Sequence, residues 1–314
     1  MRTALRPLSI GELLDRAVTL SVRYFPPLAL IWVFYIVPLS VLGYLATAES
    51  TNIVFVALGQ VMRGSSADPR VMQQLAAGPH LGAAFTWYIV VALLGYPLAN
   101  AALLRSTSEA YLDGHAATLK QAYRDGVRQW LSLIGISLIW LAVGLLLYLA
   151  FVLIAVLFAV PLTLLIATAK PIGTTLAIVL GLVAVFAILI AGTLGILAFQ
   201  IACITQVVEK VGFIRAFTMG LSRVAGRQRL RSFAYGLSLF AVYVGVWLVS
   251  ALGQGLVIGL LRSPVVSSIL AAVIGVGFSV VAAALEVNYY YDVRIRNEGF
   301  DLERAAASEA IATS

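Results

Sequence analysis

Apolar residues run in long unbroken blocks along this chain, and the polar residues gather between them. Six blocks reach the ~20 residues that a helix needs to cross a ~30 Å hydrocarbon core. They cover residues 25–45, 81–104, 130–160, 172–206, 232–261 and 265–290. The third, fourth and fifth exceed a perpendicular crossing, so they are expected to tilt or to extend past the headgroups. Between the third and fourth stand Pro161, Lys170, Pro171 and Gly173. Proline removes a backbone donor and disrupts the preceding turn, so a break is expected there, with 162–169 in the membrane interface.

Shorter segments with a helical period precede each pair of spans. Ser9-Ile10-Gly11-Glu12 has the form of a capping box, in which serine and glutamate satisfy orphan amides at a helix start. Beyond it, Ile10, Leu13, Leu14, Ala17 and Ser21 share one face, while Glu12, Asp15, Arg16, Thr19 and Arg23 share the other. Glu12 and Arg16 are spaced for an i,i+4 pair. Pro26 and Pro27 then end this helix and start the first span. A second such helix is expected over 118–129, with Leu119, Ala122, Tyr123, Gly126, Val127 and Trp130 opposite Lys120, Arg124 and Arg128. A third is expected over 212–224, its apolar face made of Phe213, Ala216, Phe217, Gly220, Leu221 and Val224. Ala122 to Gly126 and Ala216 to Gly220 both read Ala-aromatic-x-x-Gly; Leu13 to Ala17 keeps only the small final residue.

The pattern therefore predicts an all-α polytopic membrane bundle of six transmembrane helices and three interfacial amphipathic helices. A threefold internal repeat is expected, with units at about 8–104, 118–206 and 212–291, in one membrane domain over 1–300. Residues 301–314 are expected to form a short cytoplasmic tail.

Composition agrees: 61% of the 314 residues are hydrophobic and 11% are charged, less than half the ~25% of soluble domains. Lipid is the solvent that fits. Charge then sets orientation. With the N-terminus inside, 17 of the 21 Lys and Arg residues fall on the cytoplasmic side and 4 outside, as the positive-inside rule requires. Moving the break near Pro161 would reverse everything after it and destroy the asymmetry. Both termini are thus expected in the cytoplasm, with the chain in a plasma (inner) membrane. Ala46-Thr47-Ala48 has the form of a cleavage site, but the segment before it is longer than a signal peptide, so the first helix is expected to stay.

The excess of basic over acidic residues, 21 to 14, points to anionic lipid rather than nucleic acid, because the cations flank apolar spans and form no folded basic domain. The densest group is Lys210, Arg215, Arg223, Arg227, Arg229 and Arg231, the candidate contact for anionic lipid or a partner protein.

Polar side chains at membrane depth are costly and find partners. Asn100, Gln200 and Glu286 sit near the cytoplasmic thirds of the even-numbered spans, each 12 to 14 residues before Gly114, Gly212 or Gly299. They are candidates for a cluster in the middle of the bundle, either as a small polar site or as interhelical hydrogen bonds. The glycines of the fifth and sixth spans are expected to allow close helix contact, and Tyr289 to Tyr291 to anchor the last span at the interface. The apolar piece 53–61 is expected to form a short helix lying against the membrane.

No Walker A loop, nucleophile elbow or His-Glu-x-x-His pattern is present, and neither catalytic residues nor a cofactor is expected. Cys203, His80 and His115 are isolated from one another along the chain, too few for a metal set of about four ligands.

The segment Leu8-Ser9-Ile10-Gly11-Glu12-Leu13-Leu14-Asp15-Arg16-Ala17 resembles the opening of the bacterial glycerophosphoryl diester phosphodiesterase membrane domain family. Tyr290-Tyr291-Asp292-Val293-Arg294-Ile295-Arg296-Asn297-Glu298-Gly299-Phe300-Asp301-Leu302 resembles its closing segment. Between them the agreement lies in hydropathy and layout. The resemblance implies a membrane module, sometimes joined to a soluble phosphodiesterase and often found alone, with no catalytic residue carried over. The expectation is a non-enzymatic scaffold or accessory protein contacting anionic lipid or a partner; the alternative is a transporter or channel for a small or lipidic solute.

Overall fold

Helix α1 (Ile10–Arg23) starts where the capping pattern places it. The Ser9 N–H donates to Glu12 Oε2 at 2.7 Å and the Glu12 N–H donates to Ser9 Oγ at 3.2 Å, the reciprocal box. Arg6 adds an ion pair to Glu12. The Ser9 amide, the Ser9 hydroxyl and Arg6 hold the Glu12 carboxyl down at about 2, so this cap keeps its charge until the pH falls toward that value. Glu12 being engaged in this way, the expected pair with Arg16 does not form. Arg16 instead donates to the Tyr111 hydroxyl at 3.3 Å.

The computed structural model describes residues 6–62, 73, 83–168, 170–226, 228–261 and 263–313. After α1 come α2 (Phe25–Met62), α3 (Ala83–Asp113), α4 (Leu119–Thr168), α5 (Lys170–Glu209), α6 (Phe213–Ala225), α7 (Arg229–Leu261), α8 (Pro264–Glu298) and α9 (Phe300–Thr313). The described residues contain no strand. Among the described residues, six stretches are long and apolar enough to cross a membrane: Phe25–Leu45, Thr86–Asp113, Leu119–Leu146, Ile190–Glu209, Arg229–Leu261 and Val265–Glu298. Large apolar side chains stand exposed on them, among them Leu138, Trp247, Leu252 and Leu260, an arrangement that lipid tolerates and water does not. The chain is a multi-pass integral membrane protein.

Three boundaries differ from the sequence reading. Helix α4 continues through Pro161 to Thr168, and α5 begins at Lys170. A proline forfeits one backbone hydrogen bond, whereas a full break in hydrocarbon would expose several unpaired groups. Pro38 inside α2 and Pro97 inside α3 follow the same rule. The stretch 53–61 is part of α2 and not a separate helix. The amphipathic segment 118–129 is fused to the following span in α4, because nothing between Gln129 and Trp130 breaks a helix. The other two amphipathic segments stay separate as α1 and α6, closed by Tyr24 ahead of Pro26 and by Gly226. The segment expected to form the tail, for which the sequence reading made no statement of structure, lies in α9.

Two compact units divide the chain, and their boundaries cut across the expected repeat units. The first is built mainly from Leu14–Arg128 and Tyr243–Val287. Its core joins Leu28, Ile31, Trp32 and Tyr35 of α2 to Ala99 and Ala101–Leu104 of α3, with Val280 and Ala282–Leu285 of α8 also buried. Trp32, Tyr35 and Tyr96 meet edge to face, with centroids 5.2 to 6.2 Å apart. The second unit is built from Ala4–Leu13, Gln129–Val242 and Asn288–Ser314. It buries Leu197, Ala198 and Ile201–Ile204 of α5, Tyr235 of α7 and Tyr289–Tyr291 of α8. Trp140 stacks on Phe199 at 5.4 Å, and Tyr235 on Tyr289 at 4.2 Å.

One contact recurs in both units. Gly126 lies against Leu98 and Ala102 of α3, where an added Cβ would meet the Leu98 carbonyl at 3.2 Å. Gly220 lies against Ala198 and Ala202 of α5, where a Cβ would meet the Ala198 carbonyl at 2.7 Å and the Ala202 nitrogen at 2.8 Å. In each case a glycine lets a short amphipathic segment sit on the backbone of the helix before it.

Helices α3, α5 and α8 each end on a left-handed residue: Gly114 (φ 74°), Lys210 (φ 54°) and Gly299 (φ 66°). This conformation closes a helix at its carbonyl end. Within the second of these ends it is Lys210, and not Gly212, that takes the role; Gly212 is extended at φ −63°, ψ 154° and opens α6. A lysine in this region is strained by its Cβ, and glycine removes that strain while losing some unfolded-state restriction. Lys210→Gly is therefore expected to stabilise the protein by about 0.5–1 kcal/mol, read as a rise in thermal unfolding temperature in detergent.

Candidate functional site

The polar groups of the second unit concentrate where α5, α6, α7 and α8 present their ends. Asp292, in the last turns of α8, has no exposed side-chain surface. Its Oδ1 accepts the Leu8 N–H at 2.8 Å, and its Oδ2 accepts Arg231 Nη2 at 2.7 Å. Arg296, one turn further along α8, donates Nε to the same carboxylate at 3.0 Å. Arg231 and Arg296 also donate to the Leu8 carbonyl. One buried carboxylate and two arginines thereby hold both backbone groups of Leu8, and with them the segment leading into α1.

Arg223 anchors a second group. Its side chain is 4% exposed, and its Nη1 lies 2.8 Å from Glu209 Oε1. That nitrogen also donates to Thr205 Oγ1 at 2.7 Å, and Nε donates to Glu298 Oε1 at 2.7 Å. The guanidinium stands over the Tyr290 ring at 5.4 Å, and the Tyr290 hydroxyl donates to Glu209 at 2.6 Å. Burial works against the charge of Arg223, but its hydrogen bond to Glu209, with Tyr290 and Glu298 beside it, outweighs that and raises its pKa. Arg294 completes the group, donating to Glu298 Oε2 at 2.9 Å and covering the Phe300 ring at 4.3 Å. Glu209, Glu298 and Asp292 each have at least one arginine partner.

Such an arrangement fixes helix ends. Arginine keeps its proton at any working pH, and each carboxylate of the cluster faces at least one arginine, an arrangement suited to rigid positioning.

The six cations picked out from sequence divide accordingly. Lys210, Arg215 and Arg229 are exposed. Arg223 is buried, and Arg231 is half-buried on Asp292. Arg227 lies outside the described residues. Arg223 and Arg231 are thus spent inside the protein, because carboxylates distant in sequence reach them. The expected apolar face of α6 shifts in the same way: Ala216, Gly220 and Val224 are buried with Arg223, while Phe213 and Leu221 are exposed.

Asn100 and Glu286 are buried in the first unit, and Gln200 belongs to the second. Neither unit contains all three. Glu286 accepts a hydrogen bond from the Tyr243 hydroxyl at 3.1 Å. The tyrosines read as interfacial anchors are fully buried instead: Tyr289 donates to Ser232 Oγ at 2.8 Å and Tyr290 to Glu209. Cys203 is buried and His115 exposed; His80 lies outside the described residues. Sequence reasoning missed Asp292, Arg296, Glu298, Arg294 and Glu209 as a site. A signal was present in the i,i+4 spacing of Asp292 with Arg296 and of Arg294 with Glu298.

No family model matches the chain, and neither a curated protein nor a solved structure matches it.

Proposed function

We propose that this chain is a non-enzymatic scaffold or accessory protein of a bacterial plasma membrane, with both termini in the cytoplasm. The observation that carries the reading is the Asp292–Arg231–Arg296 and Arg223–Glu209–Glu298 cluster, a set of ion pairs that holds helix ends together. The 17 to 4 distribution of basic residues supports the orientation. Lys210, Arg215 and Arg229 remain for anionic lipid or a partner protein. The family resemblance belongs to the same proposal. Its two segments meet in this cluster, where Leu8 of the first is held by Asp292 and Arg296 of the second. The glycine seats at Gly126 and Gly220 and the left-handed ends at Gly114, Lys210 and Gly299 support a repeated unit.

A second reading, a transporter or channel, draws on Glu286, a carboxylate 3% exposed within an apolar helix. Purification from native membranes with quantitative mass spectrometry is expected to recover a stoichiometric partner or bound anionic lipid. Recovery with neither, together with solute uptake by proteoliposomes that Glu286→Gln abolishes, would favour transport.

A further inference from the structure

We propose that Lys120, Arg124 and Arg128, on the first turns of α4, form a binding site for the phosphate headgroup of an anionic membrane lipid. The inference deepens the scaffold reading and rests on it for the membrane setting, but it uses a different surface, in the first unit.

The three cations are spaced four residues apart, which places them along one side of a helix. All three are exposed. With Thr118, Gln121 and Asp125 they line an open depression of about 470 Å³. Its one carboxylate, Asp125, stands 4.0 Å from Arg128, so the depression carries a net positive charge. Elsewhere in this unit Arg105 is bound to Glu109 at 2.8 Å and Arg16 to Tyr111. Among the described residues of the unit, no ion pair neutralises Lys120 or Arg124.

Depth selects the ligand. Helix α4 passes without interruption from this stripe into its apolar stretch, and Gly126 presses the same segment against α3, with Tyr123 donating to the Ile31 carbonyl at 2.8 Å. At a rise of ~1.5 Å per residue Arg128 and Arg124 stand within about two helical turns of the apolar block that begins at residue 130, and Lys120 within about three, the zone that lipid phosphates occupy. Two guanidiniums can each offer paired N–H donors to phosphate oxygens, and the lysine adds a point charge.

The full-length protein, reconstituted in nanodiscs of phosphatidylcholine, would be titrated with fluorescently labelled phosphatidylglycerol and binding read by energy transfer from the protein's tryptophans. Lys120→Gln/Arg124→Gln/Arg128→Gln is expected to weaken binding on the order of a hundredfold, the sum of three headgroup charges. Arg124→Glu alone should weaken it on the order of tenfold or more, and guards against a triple variant that fails to fold. Lys210→Gln/Arg215→Gln/Arg229→Gln is the comparison. If that variant loses the lipid while the α4 variants keep it within twofold, the site is overturned and the scaffold reading stands. Displacement of the lipid by millimolar inorganic phosphate would also overturn it, by assigning the stripe to a free anion. Glu286-dependent solute flux would remove the scaffold reading without touching this result.

Discussion

Replacing Asp292 with alanine is expected to destabilise the second unit by about 3 kcal/mol. Removing one partner of a buried ion pair costs ~3–5 kcal/mol, because the other charge stays buried without compensation. The lower end applies here, since Arg231 and Arg296 keep 22% and 26% of their side-chain surface exposed and water recovers part of the loss. The Leu8 N–H also loses its acceptor. Thermal unfolding in detergent would read the destabilisation, and limited proteolysis should show faster cleavage before α1. Asp292→Asn keeps an acceptor for Leu8 but not the charge, and should fall between the two. A triple variant carrying Asp292→Leu with Arg231→Met and Arg296→Met tests the cause: removing the charges together should recover most of the loss. An Asp292→Ala protein that unfolds with the wild type would show that the cluster holds nothing.

The second large effect is expected at Gly220. A Cβ there would stand 2.7–2.8 Å from the Ala198 carbonyl, the Ala202 nitrogen and the Ala202 Cβ. Two of those atoms are backbone and cannot swing aside. Overpacking of this kind costs ~1–3 kcal/mol, against the ~1 kcal/mol that alanine gains over glycine inside a helix. Gly220→Ala is therefore expected to be net destabilising by about 1–2 kcal/mol, and Gly220→Val more so. At Gly126 the nearest approach is 3.2 Å, which a small shift relieves, so Gly126→Ala should be close to neutral. The order of the two substitutions, measured by thermal unfolding, is the test. If Gly126→Ala proves the worse of the pair, the close approach at Gly220 is not what sets the packing of α6.

How far the site could be read in advance depended on range. The capping box at Ser9 and Glu12 was legible because its donors and acceptors lie three residues apart. The Ala-aromatic-x-x-Gly pattern was legible, but the close approach of Gly126 and Gly220 to the preceding helices was not. Such contacts were expected of the fifth and sixth spans, where a Cβ at Gly245, Gly255, Gly259 or Gly277 would meet nothing within 4 Å. Arg223 misled, because in its own segment it looks like one more cation of a basic linker. Its partners Glu209 and Glu298 lie 14 and 75 residues away, and only packing brings them within 3 Å. The three tyrosines from Tyr289 misled for the same reason: an apolar ring with a hydroxyl suits a membrane interface and a buried core equally well.

Hydropathy by itself determined that the described residues are helical and hold six segments long and apolar enough to cross a membrane, since hydrocarbon permits few alternatives to a long helix and ~20 apolar residues are a local property. Tertiary structure decided which charges are spent and which remain. Arg223 and Arg231 turn inward to carboxylates, whereas Lys120, Arg124 and Arg128 stay open at the head of α4. The reason is that an ion pair is a property of distance in space, and the chain order of these residues does not contain it.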